Sequence, residues 1–427
     1  MTAPAGAPAP PTGEPRGGLV RHRDFRLLWT GHTVSAVGSN MTTVALPLVA
    51  VAVLDAGTFQ VAVLTAAAWL PWLLAGLPVG ARVDRVRRRP VMIAADLSAA
   101  ALFASVPVAA LLDLLTVGHL LAVALGAGLA RVFFETADQV YLPTLLPPGQ
   151  VPAANSRLHA TQTASYLLGP GLAGLIAQLA GAVTAVALDA VSFLASALCL
   201  RRIRAVEPRP PHPSATPSMR REVADVLRFV SRDPYLRVLT VFGAASNIGL
   251  TGYQAVLVVF LVRSADLPAG LVGPLIGLAS LGGVIGAALA ARLARRVGTA
   301  RALLLAGALT GPPALLIPLA GPGARAAWLV LGGVLVSLGV AIGNVVKGSF
   351  RQTYTPHRLL GRVTVSMQLL NYGTIPLAAL AAGALGAAWG PAGAIRVMTA
   401  WLALTPLILL VGPLRRRRDL PAVASVG

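Results

Sequence analysis

Negative charge is scarce in this sequence. Only 15 of 427 residues are acidic, against 35 basic ones, and Lys347 is the one lysine beside 34 arginines. Cysteine is reduced to Cys199, which excludes an intrachain disulfide and a cysteine metal cluster. The six histidines, at 22, 32, 119, 159, 212 and 357, include no pair at ligand spacing, so no metal site is expected. No G-x-x-x-x-G-K-S/T loop is present to cradle a nucleotide. No nucleophile stands beside a base, and no filter sequence suggests a channel. The reading is therefore of a protein that is not an enzyme and holds no cofactor.

Charged residues make up 12% of the chain, about half the roughly 25% usual in a soluble domain. Hydrophobic residues fill 56%, which matches twelve membrane spans of about 20 residues each. Apolar runs of that length lie near 29–54, 59–81, 90–112, 117–141, 158–180 and 182–200. After a polar break they resume near 236–262, 269–291, 300–320, 326–346, 362–388 and 394–412. Proline weakens the ninth run, at Pro312 and Pro313, and the twelfth, at Pro406.

The arginines test this count. With the N-terminus in the cytoplasm, 31 of the 35 basic residues fall in the N-terminal tail, the alternate loops and the C-terminal tail. Only Arg131, Arg263, Arg325 and Arg396 fall elsewhere. A wrong count would scramble that bias, so the positive-inside rule places both termini in the cytoplasm. The net charge of +20 then reports topology, and nucleic-acid binding is not expected.

The expected organisation follows. Residues 1–24 form a disordered cytoplasmic tail without a signal peptide. Two six-helix bundles cover 25–200 and 235–412. A cytoplasmic linker, 201–234, carries an amphipathic helix with Val223, Val226, Leu227 and Val230 on one face, suited to an anionic leaflet. A C-terminal tail covers 413–427. Arg26, Ser35 and Gly38 recur as Arg237, Ser246 and Gly249, and Gly76 and Gly80 as Gly282 and Gly286, which suggests two parallel repeats. The fold class is all-α, with twelve transmembrane helices in two pseudo-symmetric halves around a midplane site.

Three sets of residues carry chemistry. On span 4, Arg131, Glu135 and Asp138 stand at i, i+4 and i+7 of one helix face; with Asp96 and Asp189 they are the ionisable side chains placed inside spans of the first half. Asp189 fits either a proton site or a helix-packing hydrogen bond, and Asp96 a structural ion pair. Polar residues that could line a central cavity are Asn40, Thr43, Gln162, Tyr166, Asn247, Tyr253, Gln254, Asn344, Gln368, Asn371 and Tyr372. Their neutrality favours a hydrophobic or amphiphilic small molecule over a sugar or phosphate.

Gly80-x-x-x-Asp84-Arg85-x-Arg87-Arg88-Arg89, after span 2, resembles the loop 2–3 signature G-x-x-x-D-R-x-G-R-R of the major facilitator superfamily, with Arg87 replacing the second glycine. Phe25 to Trp29, Asp96, Leu142-Pro143 and Asp189-x-x-Ser192-Phe193 are similar to the bacterial efflux branch that includes the enterobactin exporter and macrolide efflux pumps. Ser165-x-x-x-Gly169-Pro170-x-x-x-Gly174 resembles the antiporter motif, with Ser165 in place of its first glycine. The resemblance implies alternating access and export by proton antiport. It implies a conformational latch at Gly80, Asp84, Arg85, Arg88 and Arg89, and proton coupling through Arg131 with Glu135, Asp138 or Asp189. The expected partners are a small-molecule substrate, protons and the lipid bilayer of the inner membrane, with the protein a monomer. Uptake, proton-independent transport, or a sensor that keeps the fold without transport are the alternatives.

Overall fold

A computed structural model gives the fold. It describes residues 19, 22–83, 85–205, 207, 233–354, 357–415 and 417–421, and the backbone alone at 77, 81, 148, 352, 353 and 357–372. The expected N-terminal tail through 18, the linker helix and Asp84 lie outside the described residues. Six helices form the first half: α1 Arg23–Ala52, α2 Thr58–Val83, α3 Arg88–Leu111, α4 Val117–Leu145, α5 Val151–Ala180 and α6 Ala182–Arg202. The second half begins with α7 Pro234–Arg263, α8 Ala269–Val297, α9 Thr299–Thr310 and α10 Ala326–Tyr354. The helical run His357–Leu404 is broken at Gly390, where φ is 73° and ψ 167°, so it comprises α11 (357–389) and α12 (391–404). A last short helix, Pro406–Val411, continues α12.

Local chemistry sets the ends. His22 Nδ1 accepts from the Phe25 N–H, Thr116 caps α4, and the Asp233 carboxylate accepts from the Tyr235 and Leu236 N–H groups. The diproline stops α9 from continuing as an α-helix, and the chain goes on as a 3-10 helix, Pro312–Leu319. Together Thr299–Leu319 still crosses as one apolar segment of 21 residues. One boundary is corrected: α10 does not stop near 346 but runs to Tyr354, because Val346, Phe350 and Tyr354 continue its buried face.

The internal repeat is more regular in the backbone than in the sequence. Asp55 and Asp266 end α1 and α7 with φ of 47° and 52°. Asp113 and Gly323 follow α3 and the 3-10 segment with φ of 54° and 62°, and Gly181 and Gly390 separate the last two helices of each half. Aspartate tolerates this left-handed turn better than most residues. Each half also closes its end over the start of its third helix. Glu207 accepts from the Arg88 and Arg89 N–H groups at 2.6 and 3.2 Å, and Asp419 accepts from the Thr299 N–H at 2.9 Å. A carboxylate at a helix N-terminus satisfies free donors and complements the dipole. Gly38 and Gly249 play equivalent parts, admitting α6 side chains against α1 and Leu402 of α12 against α7. Gly76 and Gly80 break the pattern. Gly282 and Gly286 press on the α10 backbone, whereas Gly80 meets no described atom within 4 Å.

The arginine-rich loops gather at one end, termed the basic end here. At the opposite end the halves share one hydrophobic core, with Val49, Val61, Val106 and Val186 joined to Val259, Val272, Ile317 and Ile395. At the basic end the described core residues form two separate clusters. One holds Phe25, Leu28, Val83, Met92 and Tyr141, all from the first half; the other holds Leu236, Leu239, Leu303 and Val346, all from the second. Across the halves α2 packs on α11 and α5 on α8. The Arg263 guanidinium also reaches Asp55 at 2.5 Å at the opposite end.

A side chain at Gly38 would strike Asp189 and Ser192, so Gly38→Val is expected to destabilise the protein by about 1–3 kcal/mol or more. Gly80→Ala should instead be neutral or stabilising by about 0.5–1 kcal/mol, since it has room and lies in a helix. Thermal unfolding of the two purified variants in detergent checks the contrast.

Candidate functional site

The charged face of α4 is the centre of the first half. Helical spacing brings Arg131 Nε to 2.6 Å from Glu135 Oε1. The pair is partly open, with side chains 43% and 33% exposed, and the guanidinium lies 4.9 Å from the ring centroid of Trp69 on α2. Asp138 faces inward, where His32 of α1 and Glu135 are its ionisable neighbours. Its Oδ1 is buried and has no hydrogen-bond partner among the described residues. Asp96, on α3, is buried with Ser196 and Asp138 as neighbours, and its Oδ2 is likewise without a described partner. Three helices thus bring His32, Asp96, Glu135 and Asp138 together. His32 was not among the sequence-derived coupling candidates, because it sits early in α1 and reads there as an interfacial residue.

Asp189 does not join that cluster. It is fully buried between α6 and α1, with Oδ2 accepting from the Thr42 hydroxyl and Oδ1 from the Ser192 hydroxyl at 3.0 Å. Both oxygens are occupied, which is the geometry of the packing alternative.

The antiporter-like residues lie where α5 crosses two helices. Gly169 faces Asn40 and the backbone of Met41 on α1. Gly174 faces Gly273 and Pro274 on α8, and Gly273 in turn packs against the Pro170 carbonyl. Small residues let two backbones touch, and packing there replaces the hydrophobic drive that lipid removes. Ser165 is buried and spends its hydroxyl on the Thr161 carbonyl, so it fills the place of a glycine without a free polar group.

Among the latch residues, Arg85 is exposed, while Arg88 and Arg89 are tied within their own half. Arg88 pairs with Glu207 at 3.6 Å, and Arg89 donates to the Leu200 and Arg201 carbonyls at 2.8 and 2.6 Å.

The cavity set divides. Two assignments need correction. Asn40 is buried, donates to the Ala36 carbonyl and packs on Gly169, so it glues α1 to α5. Tyr253 is 6% exposed inside the shared core. Thr43, Tyr166 and Gln254 are exposed, and Gln162 is half-buried. The side chains of Gln368, Asn371 and Tyr372 lie outside the described ones. Asn247 and Asn344 are brought together, lining a pocket of about 240 Å³ with Ser246, Thr310 and Lys347. Lys347 belongs to this pocket although the sequence count assigned it to a cytoplasmic loop. Its position one turn after Asn344, with apolar Val346 and Phe350 continuing the helix, is the signal that could have found it.

Similarity to known proteins agrees with this architecture. The profile described as Major Facilitator Superfamily matches residues 28–379. The chain is 29% identical over 400 residues to the multidrug efflux pump Tap of Mycolicibacterium fortuitum, covering 90% of this chain and 93% of the pump. It is 26% identical over 422 residues to the enterobactin exporter EntS of Salmonella typhimurium, covering 96% and 97%. Among solved structures, the nucleoside transporter NupG superposes with a TM-score of 0.74 at 10% identity, over 92% of this chain and 99% of that one. A bacterial homologue of the iron transporter ferroportin, in an inward-facing state, gives 0.72 at 18% identity over 94% and 100%. With eleven membrane-length apolar segments among the described residues, the last of them divided at Gly390, and a profile match over most of its length, the chain belongs to the major facilitator superfamily and is a multi-pass membrane transport protein.

Proposed function

We propose that the protein exports a hydrophobic or amphiphilic small molecule, such as a drug or siderophore, across the bacterial inner membrane by proton antiport. The observation that carries this reading is the asymmetry of the core. The halves share one core at one end and hold separate cores at the other. That is the shape of one state of an alternating-access machine, open at the basic end. The positive-inside rule puts the basic end and both termini in the cytoplasm, so the open side faces the cytoplasm, where an exporter loads. The efflux-pump relatives support the direction and the class of cargo.

The second state requires the shared core to part and the basic end to close. Parting breaks the Asp55–Arg263 pair and leaves the α5–α8 crossing as a pivot, because Pro170, Gly174 and Gly273 meet there through their backbones. On closing, Asp84 would meet the start of α11, where free N–H groups and the dipole favour a carboxylate. Arg89 holds loop 2–3 to the end of α6 and Arg88 holds it to Glu207 just beyond, so the loop moves as part of the first half.

For the proton, Asp138 is the assigned carrier. It offers a buried oxygen with no described donor, as Asp96 does, but stands beside Glu135 and His32 as well, whereas each Asp189 oxygen already accepts a hydrogen bond. Glu135 is held by Arg131 in a charge-assisted hydrogen bond. Movement of Arg131 when cargo enters would change the field at both carboxylates, which links loading to proton release. The protein works as a monomer in this scheme, since the pathway lies between its own halves.

Proton movement in inside-out vesicles tests the scheme with a panel of antibiotics, dyes and siderophores. A cargo should collapse an imposed pH gradient with wild-type protein. Asp138→Asn should lower that coupled flux at least about 100-fold, as expected for a lost proton-transfer group, while cargo binding persists. Asp189→Asn should keep coupled flux and lose stability; the reverse pattern would reassign the carrier. The outer ion pair gives a smaller, separate effect. Arg263→Ala should shift the two-state equilibrium by no more than about 1 kcal/mol, roughly a factor of five, since Asp55 is exposed. Distances between spin labels on the two halves at the basic end would report that shift.

A further inference from the structure

In the second half, between Asp233 and Asp419, the chain has one acidic residue, Asp266, and it stands in the turn at the end opposite the basic one. Lys347 therefore sits inside a span with no carboxylate from its own half within reach. Its charged neighbour is another cation, Arg351. Its one described contact is with the Phe242 ring, 5.6 Å from the ammonium. A cation inside a membrane segment is costly and marks a functional site unless a partner is found. Asp233 is not that partner: it caps α7 and accepts from the Tyr354 hydroxyl at 2.6 Å.

The surroundings are built for an anion with an apolar tail. Asn344 lies on the same face of α10 as Lys347, at i−3, and its exposed amide has no described hydrogen bond. Other polar groups in the pocket are spent: Ser246 donates to Thr405, Asn247 to Thr374 and Thr310 to the Ala306 carbonyl. The unspent donors are thus the ammonium of Lys347 and the amide of Asn344, while Leu250, Val340 and Ile375 supply apolar wall. About 240 Å³ is below the usual range of about 300–1,000 Å³ for a whole drug-sized ligand, so the pocket suits a head group.

We propose that Lys347 and Asn344 form a binding site for the anionic head group, of the carboxylate class, of an amphiphilic cargo. This narrows the cargo of the export reading and rests on that reading. It also divides the labour: the first half carries the acids that handle protons, and the second carries the cation that recognises charge.

The single lysine allows a direct test. Purified full-length protein in phosphatidylcholine nanodiscs is reductively methylated, and the extent at Lys347 is read by peptide mass mapping. Pyrenebutyrate should slow methylation of Lys347 by about tenfold, the equivalent of ~1.4 kcal/mol, and its neutral amide should not. Lys347→Gln should weaken pyrenebutyrate binding by about the same factor, while Lys347→Arg should retain most of it. Equal protection by acid and amide, or no protection by either, would overturn the proposal without a variant that has to fold. An anionic lipid head group offers the same chemistry. If phosphatidylglycerol in the disc protects Lys347 and pyrenebutyrate does not compete, the site belongs to lipid and the cargo proposal fails. Transport plays no part in this assay. Protection by the acid in a protein that moves nothing in vesicles would leave the site standing and remove the export reading instead.

Discussion

The crossing of α5 and α8 is the contact on which the rest of the molecule turns. At Pro170 and Gly174 on one side and Gly273 on the other, backbone meets backbone, with the Pro274 ring beside Gly174. Lipid supplies no hydrophobic drive for helices to associate, so close packing of this kind has to hold the halves together. In the proposed transport cycle it is also the pivot, since backbone contact at Gly273 needs few side chains to separate, Gln178 against Gly270 being one of them. The same segment of α5 packs against α1 through Gly169, so the crossing anchors the pivot to the first half.

Around that pivot the polar groups divide by the environment each finds. Several within one half are satisfied, Asp189 by two hydroxyls and Glu207 and Asp419 by helix N-termini, whereas Asp96 keeps one oxygen without a described partner. Others keep unspent capacity: Asp138 has a buried oxygen without a described partner inside the first half, and Lys347 and Asn344 face a pocket walled by α7, α9, α10 and α11 of the second. A buried polar group without a partner costs about 1–3 kcal/mol. Asp138 carries such a cost, and in the proposed antiport cycle it is where a proton would exchange. The acids and the pocket lysine also fall in different halves, so a change in the separation of the halves changes the field that each group feels.

Much of the architecture was legible in the order of residues. The apolar runs located the long α-helices among the described residues, including the division at Gly390 between the expected spans at 362–388 and 394–412. The weakness read at Pro312 and Pro313 proved to be a 3-10 segment that still crosses. The family motifs were visible, and the pairing of Arg131 with Glu135 followed from spacing alone. The cavity was read less well. Asn40 and Tyr253 point into packed interfaces, and Lys347 was counted with the topological arginines because the end of α10 was placed too early. Glu207 and Asp419 drew no attention, since a single acid beyond the end of a span carries no periodic signal.

The sequence by itself determined the membrane class, the number and place of the spans, the superfamily and the charge bias between the two ends. Those properties are sums over neighbouring residues, and a window of about 20 residues contains them. Only the tertiary structure decided which end the halves share, which carboxylate has both oxygens filled, and that Lys347 looks into a pocket. Each of these depends on the rotation of a helix about its own axis and on what another helix, a hundred or more residues away, sets against it. One residue more or less turns a side chain by about 100° at 3.6 residues per turn, and hydropathy alone does not fix that angle.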